Sequence, residues 1–483
     1  MKRRSFLGLG VVAGVASLFG SVPSFSISNT PRLVKDRKVR VALIGCGCRM
    51  GYGLLRDAMK EDIVIMCDCD TRMIEKTKAR MKAYDKSYDV SKIKVFRDYR
   101  EMFEKASNEI DAVIIATPNH HHALPSLMAI RRGIHVYVEK PMALTIEEVR
   151  LMAEEAKKYG VITQVGNHGH SSGFLPSFKE LVESDELGTI KEAWCFNDRL
   201  NAMPYRPKSA PPPQTVDWDL WCGGSPICDY YPAVSGKHGA IHPHDFHSWI
   251  GYGNGSIGNM GTHIIDPACF GLDLYKRSPE KITLTDVAPG CKGSWTVRNS
   301  IEWAYKAEGK GSPFKLYWFD GVKEGVPYDQ EHVDMIGICK KREYQNLPPI
   351  IEETEKRYGA SLGQLGTLFV ADNGVVFISQ HCQSLQIYPK DLRKKVKDAR
   401  IPKKYPRVPK ANHMQEFFTS CRTGVKTGCD FEYSAPLAEL VLQGNVLALA
   451  GKGAYEWNGK EFTTNPSINS FIKKDYRKGW EIW

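Results

Sequence analysis

Residues 39–44 (V-R-V-A-L-I) form a mostly apolar, β-branched run, the pattern of a parallel strand covered on both faces. Runs of similar character recur at 63–67, 112–116, 134–138 and 161–165, separated by stretches of helical spacing such as 54–60 and 146–158. Strand alternating with helix predicts a doubly wound parallel sheet in the first part of the chain. Further on, 413–421 and 437–450 read as amphipathic helices, and no internal repeat is visible.

Composition narrows the class without naming a chemistry. The chain has 483 residues, 42% hydrophobic and 25% charged, which excludes a disordered, collagen-like or disulfide-knot protein. At roughly 150 residues per domain the length predicts two or three domains. The net charge is +11, but Lys2, Arg3 and Arg4 supply part of it and no long basic run follows, so nucleic acid is not an expected partner. The basic stretch 390–404 reads as a solvated face.

The N-terminus reads as an address. A cationic start, an apolar stretch at 7–20 and a small, polar exit at 21–28 describe an export signal over residues 1–30. The apolar stretch is shorter than the about 20 residues a spanning helix needs, so stable membrane insertion is not expected. Arg3-Arg4-x-Phe6-Leu7 resembles the twin-arginine pattern, which implies a periplasmic protein that folds before export; a general secretory signal with incidental paired arginines is the alternative. Of the thirteen cysteines, the close pairs Cys46/Cys48 and Cys67/Cys69 sit at strand ends and read as small buried hydrophobes.

The first strand runs into Gly45-Cys46-Gly47-Cys48-Arg49-Met50-Gly51. A Gly-x-Gly turn between strand and helix lets backbone approach a pyrophosphate, which the helix N-terminus attracts. Asp68 ends the second strand, at the distance where a carboxylate accepts the ribose hydroxyls and repels a 2′-phosphate, so NAD is the expected cofactor. Met50 stands at the strict third glycine position; either the turn carries an insertion or the helix packs differently. Ligands of such sheets lie beyond the carboxyl ends of the strands. The cofactor is therefore expected on Gly45, Gly47, Cys48, Arg49, Met50 and Asp68, then on Thr117, Pro118, Asn119 and His122, with Glu139 and Lys140 after the strand at 134–138. Pro141 restricts how Lys140 leaves that strand.

Three segments carry a resemblance: D-A-V-I-I-A-T-P-N-H at 111–120, G-I-H-V-Y-V-E-K-P at 133–141 and G-N-M-G-T-H-I-I-D at 258–266. Together they are similar to the Gfo/Idh/MocA oxidoreductases. D-W-D-L-W at 217–221 and D-Y-R-K-G-W at 475–480 resemble the subgroup with a long sugar-active C-terminal domain. The resemblance implies a Rossmann domain (37–166), then an α/β domain with a large open, mostly antiparallel sheet (167–483) that binds substrate and mediates homo-oligomers, dimeric or tetrameric. It also implies exchange of a hydride between a nicotinamide and a carbohydrate hydroxyl. Lys140 would bind the reacting oxygen, and His263 would be the general base. Asn259 stands where the family often has an aspartate; an amide can orient His263 but cannot stabilise its charged form, and Asp266 is the candidate substitute.

The region 167–266 is rich in histidine. His242-Pro243-His244-Asp245-Phe246-His247 can be read as a metal cluster, but Pro243 breaks its regularity, and hydrogen bonding to sugar hydroxyls is the more economical role, with no metal expected. Asn167, His168, His244 and Asp266 are expected substrate contacts. Trp218, Trp221 and Trp249 offer apolar faces for pyranose C–H groups. The expected substrate is a small carbohydrate or glycoside. Its 3-dehydrogenation, with tightly held NAD, is the preferred activity. A redox-neutral, NAD-dependent glycosidase working through a 3-keto intermediate is the alternative, and it needs a further base, for which Tyr205, Tyr230 and Tyr231 are unranked candidates. A non-catalytic sugar-binding protein is the third reading.

Overall fold

The computed structural model describes residues 33–232, 241–307, 312–326 and 341–482. The expected export signal and His238 lie outside them. Six strands, β1 (Arg40–Ile44), β2 (Asp62–Cys67), β3 (Lys94–Phe96), β4 (Ala112–Ile115), β5 (His135–Val138) and β6 (Thr163–Val165), form one sheet. Their order is β3-β2-β1-β4-β5-β6 with every pair parallel, so the chain reverses direction across the sheet beside β1. β4 and β5 are buried along their whole length, as their apolar runs require.

The second sheet has eight strands: β7 (Ile190–Asn197), β8 (Lys281–Ala288), β9 (Arg298–Tyr305), β10 (Phe314–Gly321), β11 (Gly366–Ala371), β12 (Gly374–Ser379), β13 (Leu385–Tyr388) and β14 (Gly453–Glu456). Its order is β13-β12-β11-β7-β10-β9-β8-β14, antiparallel except for β7 with β10. The fold is therefore α/β with a parallel Rossmann sheet and a mixed, mostly antiparallel one.

Helices Gly255–Gly271 and Phe431–Ala450 pack on each other; the first, buried almost throughout, lies on β7, β10 and β11, and the second bridges from β8 to β6 and the helix Ile146–Tyr159 of the Rossmann half. The start of the first is tied to the Rossmann half by a side chain: Asn254 donates to the Leu144 carbonyl (2.9 Å) and accepts from Asn119 (2.7 Å). The crossing is reciprocal. Helix His413–Thr423 sends Met414, Phe417, Phe418 and Cys421 into the core beneath β1 and β2. The C-terminal tail also returns, with Arg100 lying over the Trp480 ring at 3.7 Å and Arg131 donating to the Ile482 carbonyl at 2.8 Å.

The turn after β1 resolves the question posed by Met50. Residues Met50–Leu54 form one π-helical turn, which absorbs an extra residue before the α-helical stretch Leu55–Ala58. Cys46 and Cys67 are buried as expected; Cys48 is exposed, and no described cysteine is in a disulfide. Among the described residues, no helix is long and apolar enough to cross a membrane.

Candidate active site

Between the carboxyl ends of the Rossmann strands and the second domain lies a cleft of about 330 Å³. Gly45 opens it. Its φ is +80°, and a Cβ there would stand 2.7 Å from the Thr117 backbone nitrogen, so the turn closes onto the β4 loop only with glycine. The Cys46 N–H donates to Asp68 Oδ2 (2.7 Å), and Asp68 Oδ1 accepts from the Asp70 N–H (2.8 Å). Burial pushes the Asp68 carboxyl up to about 6, against the pull of those two N–H donors. Each oxygen keeps a lone pair for a further donor.

Of the residues expected to hold the cofactor, Gly45, Gly47, Cys48, Arg49, Asp68, Thr117, Pro118, Asn119, His122, Glu139 and Lys140 line this cleft. Met50 does not. Its side chain opens the π turn and is fully buried in the Rossmann core. The Arg49 Nε donates to Glu139 (2.7 Å), which neutralises the buried carboxylate beside Lys140. The His122 ring sits between the carbonyl oxygens of Pro141 (2.7 Å) and Thr117 (3.0 Å).

Lys140 is the centre of the cleft. Its Nζ donates to the Asn259 carbonyl (2.9 Å) and to Asn259 Oδ1 (2.6 Å), leaving one N–H for a ligand. Burial lowers its pKa to about 8, with Arg49 and Arg199 adding to the effect and Glu139 opposing it. The expected pairing of Asn259 with His263 is thus corrected: the Asn259 amide serves Lys140, and its Nδ2 donates to Asn201 Oδ1 (2.9 Å). His263 is held instead by Asn167, whose Oδ1 accepts from Nδ1 at 2.8 Å. Burial and the nearby Lys140 charge push His263 well below the usual histidine range.

Asp266 is a second correction. It is buried outside the cleft, where it meets His170 Nδ1 at 3.0 Å and accepts from the Tyr433 hydroxyl at 2.5 Å. Burial lowers the His170 pKa, but the Asp266 carboxylate outweighs it and the net shift is upward. Asp266 therefore cannot orient His263.

His168, Trp221 and His244 line the cleft, whereas Asn167, Trp218 and Trp249 do not. Trp218 stacks on Trp221 at 4.4 Å, and Trp249 stacks on Tyr231 at 4.6 Å. Trp221 is itself buried, with Nε1 donating to His242 Nδ1 (3.0 Å). His242 turns its other nitrogen to Asp70 (3.0 Å), and His244 bonds Asp245 (2.7 Å). His247 packs on Phe246 at 4.2 Å and meets the His244 ring edge to face at 5.9 Å, while His242 is spent on Trp221 and Asp70. Tyr205, Tyr230 and Tyr231 do not line the cleft.

Sequence reasoning missed Arg199, His381 and Trp480, all of which line it. Trp480 lay in the D-Y-R-K-G-W segment, the one available signal. Arg199 and His381 stand alone after β7 and β12, with no motif to mark them.

Two family descriptions match the chain. Residues 39–167 match an oxidoreductase family with an NAD-binding Rossmann fold, and residues 188–310 match its C-terminal alpha/beta domain. The chain belongs to the Gfo/Idh/MocA oxidoreductase family. It is 29% identical over 159 residues to a glycosyl hydrolase family 109 protein of Stenotrophomonas maltophilia, 31% of either chain. It is 37% identical over 113 residues, 22% of this chain and 33% of the other, to the scyllo-inositol 2-dehydrogenase (NADP(+)) IolU of Bacillus subtilis. The chain thus spans about a third of the length of the curated relatives it matches. Among solved structures, the WlbA dehydrogenase from Bordetella pertussis in complex with NADH and UDP-GlcNAcA shares its fold, with a TM-score of 0.55 at 13% identity, covering 87% of this chain and 99% of that one. GenD2 from gentamicin A biosynthesis, in complex with NAD, aligns with a TM-score of 0.53 at 15% identity over 91% of this chain and all of that one. This Gfo/Idh/MocA chain therefore carries an NAD-binding Rossmann domain whose turn, acid and rim converge on one cleft.

Proposed function

We propose that this protein is an NAD-dependent 3-dehydrogenase of a sugar or glycoside, exported with its cofactor bound. The observation that carries the reading is Lys140, a buried amine near pKa 8 with one free N–H, set between the cofactor turn and a ring of histidines. Bound NAD supplies the hydride acceptor. The Gly45–Cys48 turn, Asp68 and Thr117–Asn119 fit it, since the missing Cβ at Gly45 leaves the backbone open to a close approach. Lys140 binds the reacting hydroxyl and, in its neutral form, takes the proton. His263, whose low pKa makes it a weak base, presents an Nε2 lone pair to the cleft rather than a proton. His168 and His244 supply further donors for sugar hydroxyls.

Turnover is expected to rise with pH through about 8, because the neutral amine is the working form. Asn259→Asp places a carboxylate 2.6 Å from that amine and favours its charged form. The midpoint of the pH–kcat profile should move up by about one unit or more, and turnover at pH 7.5 should fall roughly tenfold. A profile unchanged by this variant would remove Lys140 as the titrating base.

An exported enzyme meets little free NAD, so the purified protein should release close to one nucleotide per chain when denatured. A nucleotide-free protein would count against a resident cofactor. A second reading, the redox-neutral glycosidase, draws support from the similarity to the glycosyl hydrolase family 109 protein. Aryl glycosides separate the two: the dehydrogenase gives a 3-keto product when an acceptor is added, whereas the glycosidase releases phenol with no acceptor and no accumulating ketone. Retention of sugar binding with neither product would support the non-catalytic reading.

A further inference from the structure

Three histidines from distant parts of the chain meet on the floor of the cleft. His168 comes from the turn after β6, His263 from the helix Gly255–Gly271 and His381 from the turn after β12. One nitrogen of each ring lies within 4.8 Å of the other two. The proposed reaction leaves the Nε2 lone pair of His263 unspent and gives His381 no task. We propose that the three imidazoles bind a divalent transition-metal ion of the zinc class, with an open coordination position facing Lys140 and the substrate hydroxyl.

The first support is the orientation of His263. Its Nδ1–H is donated to Asn167 Oδ1 at 2.8 Å, and the Asn167 Nδ2 donates to the Thr262 carbonyl at 3.4 Å, which fixes the amide the same way round. Nε2 is left with a free lone pair; metal-bound histidines are characteristically held through the other nitrogen in this manner. The second support is unspent capacity. The Nδ1 atoms of His168 and His381 are buried and have no hydrogen-bond partner among the described residues, a rarity for buried polar atoms.

The third support lies in the backbone. His381 is held at φ +55°, ψ +20°, a left-handed conformation that non-glycine residues seldom adopt. The opposing turn approaches so closely that a Cβ on Gly169 would stand 2.7 Å from His381 Cα. Together these features place the His381 ring 4.4 Å from His168, stacked, and 4.1 Å from His263, edge to face.

Zinc–nitrogen bonds of about 2.0–2.1 Å in a tetrahedron put ligand nitrogens about 3.4 Å apart, so the rings need to close by roughly an ångström. Lys140, Arg49 and Arg199 face the group and oppose a cation; Arg49 is already paired with Glu139. The ion is therefore held best when Lys140 is neutral or the substrate oxygen is ionised. Three protein nitrogens and an open position form a catalytic pattern rather than a structural one. This role rests on the reading that the cleft acts on a hydroxyl: the ion binds its oxygen, the O–H bond breaks, the proton goes to the Lys140 amine, and the charge left on oxygen is held by the ion.

The test uses the full purified chain without a histidine tag, stripped with a chelator and titrated with Co²⁺. The expected result is one Co²⁺ per chain surviving desalting, with visible absorption bands of a tetrahedral nitrogen-ligated ion. His381→Ala and His168→Gln should each weaken binding at least tenfold, while His244→Ala leaves it unchanged. Wild-type protein with no bands and no retained cobalt overturns the site, as does equal binding by both ligand variants. If one variant fails to fold, judged by its thermal transition, the other decides. NAD content is measured on the same samples. Cobalt bound without any nucleotide would sink the proposed reaction and keep the metal site, and nucleotide without cobalt would do the reverse.

Discussion

Lys140→Ala is expected to lower turnover roughly 10²–10⁴-fold while NAD remains bound, as loss of a positioned acid–base group does. Among the described residues its amine hydrogen-bonds the second domain through Asn259, at 2.6 and 2.9 Å, and neither bond supports the cofactor turn. Removing a buried amine whose pKa is already depressed to about 8 relieves a desolvation cost, so the fold should survive. Lys140→Arg should not rescue activity, because a guanidinium stays charged at every working pH and cannot accept the proton. Nucleotide content, thermal unfolding and single-turnover rate, measured together, check the expectation. A variant with near-normal turnover would show that the amine has been given the wrong role.

Gly45→Ala is the second large effect, and it falls on binding rather than chemistry. The left-handed φ of +80° costs an alanine about 1–2 kcal/mol, and its Cβ would lie 2.7–2.8 Å from backbone atoms of residues 116 and 117. Backbone cannot step aside as a flexible side chain can, so overpacking adds about 1–3 kcal/mol. The turn and the β4 loop should part, spoiling the surface on which the cofactor is expected. The purified variant should contain less than a tenth of the wild-type nucleotide, with its thermal transition several degrees lower. Full occupancy by NAD would mean that the cofactor does not rest on this turn.

The Rossmann half was legible because its signals are local. A two-sided buried strand is a continuous apolar run, and Gly45, Asp68 and the 139–141 tripeptide all stand where β1, β2 and β5 end. The second sheet, with strands drawn from residues 190 to 456, was foreseen only through the family resemblance. Its half-buried strands, such as β8, carry no such continuous run.

The misreadings share one cause. Asn259 and His263 lie four residues apart on one helix, which suggests a pair. Their partners come from elsewhere: Lys140 reaches Asn259 from the end of β5, and Asn167 reaches His263 from the end of β6. Asp266 was near in sequence and is spent on His170 and Tyr433. Trp218 and Trp249 satisfy their faces by stacking on Trp221 and Tyr231, so aromatic content alone overstated the substrate surface. His381 was invisible because its importance is its proximity to His168 and His263, which only the packed turns create.

The central claim is that a carbohydrate C–H bond is broken beside Lys140 with its electrons passing to NAD held on the 45–48 turn. It is tested most directly by mixing NAD-loaded protein with a glycoside and with the same glycoside deuterated at C3, and following the near-ultraviolet absorbance of reduced nicotinamide through one turnover. The account predicts a rise in absorbance with the protonated glycoside, a slower rise with the deuterated one, and none with Lys140→Ala. Reduction at equal rates from both glycosides would place the reaction at another carbon. Complete absence of reduction across glycosides and free sugars, in protein shown to hold its nucleotide, would contradict the account.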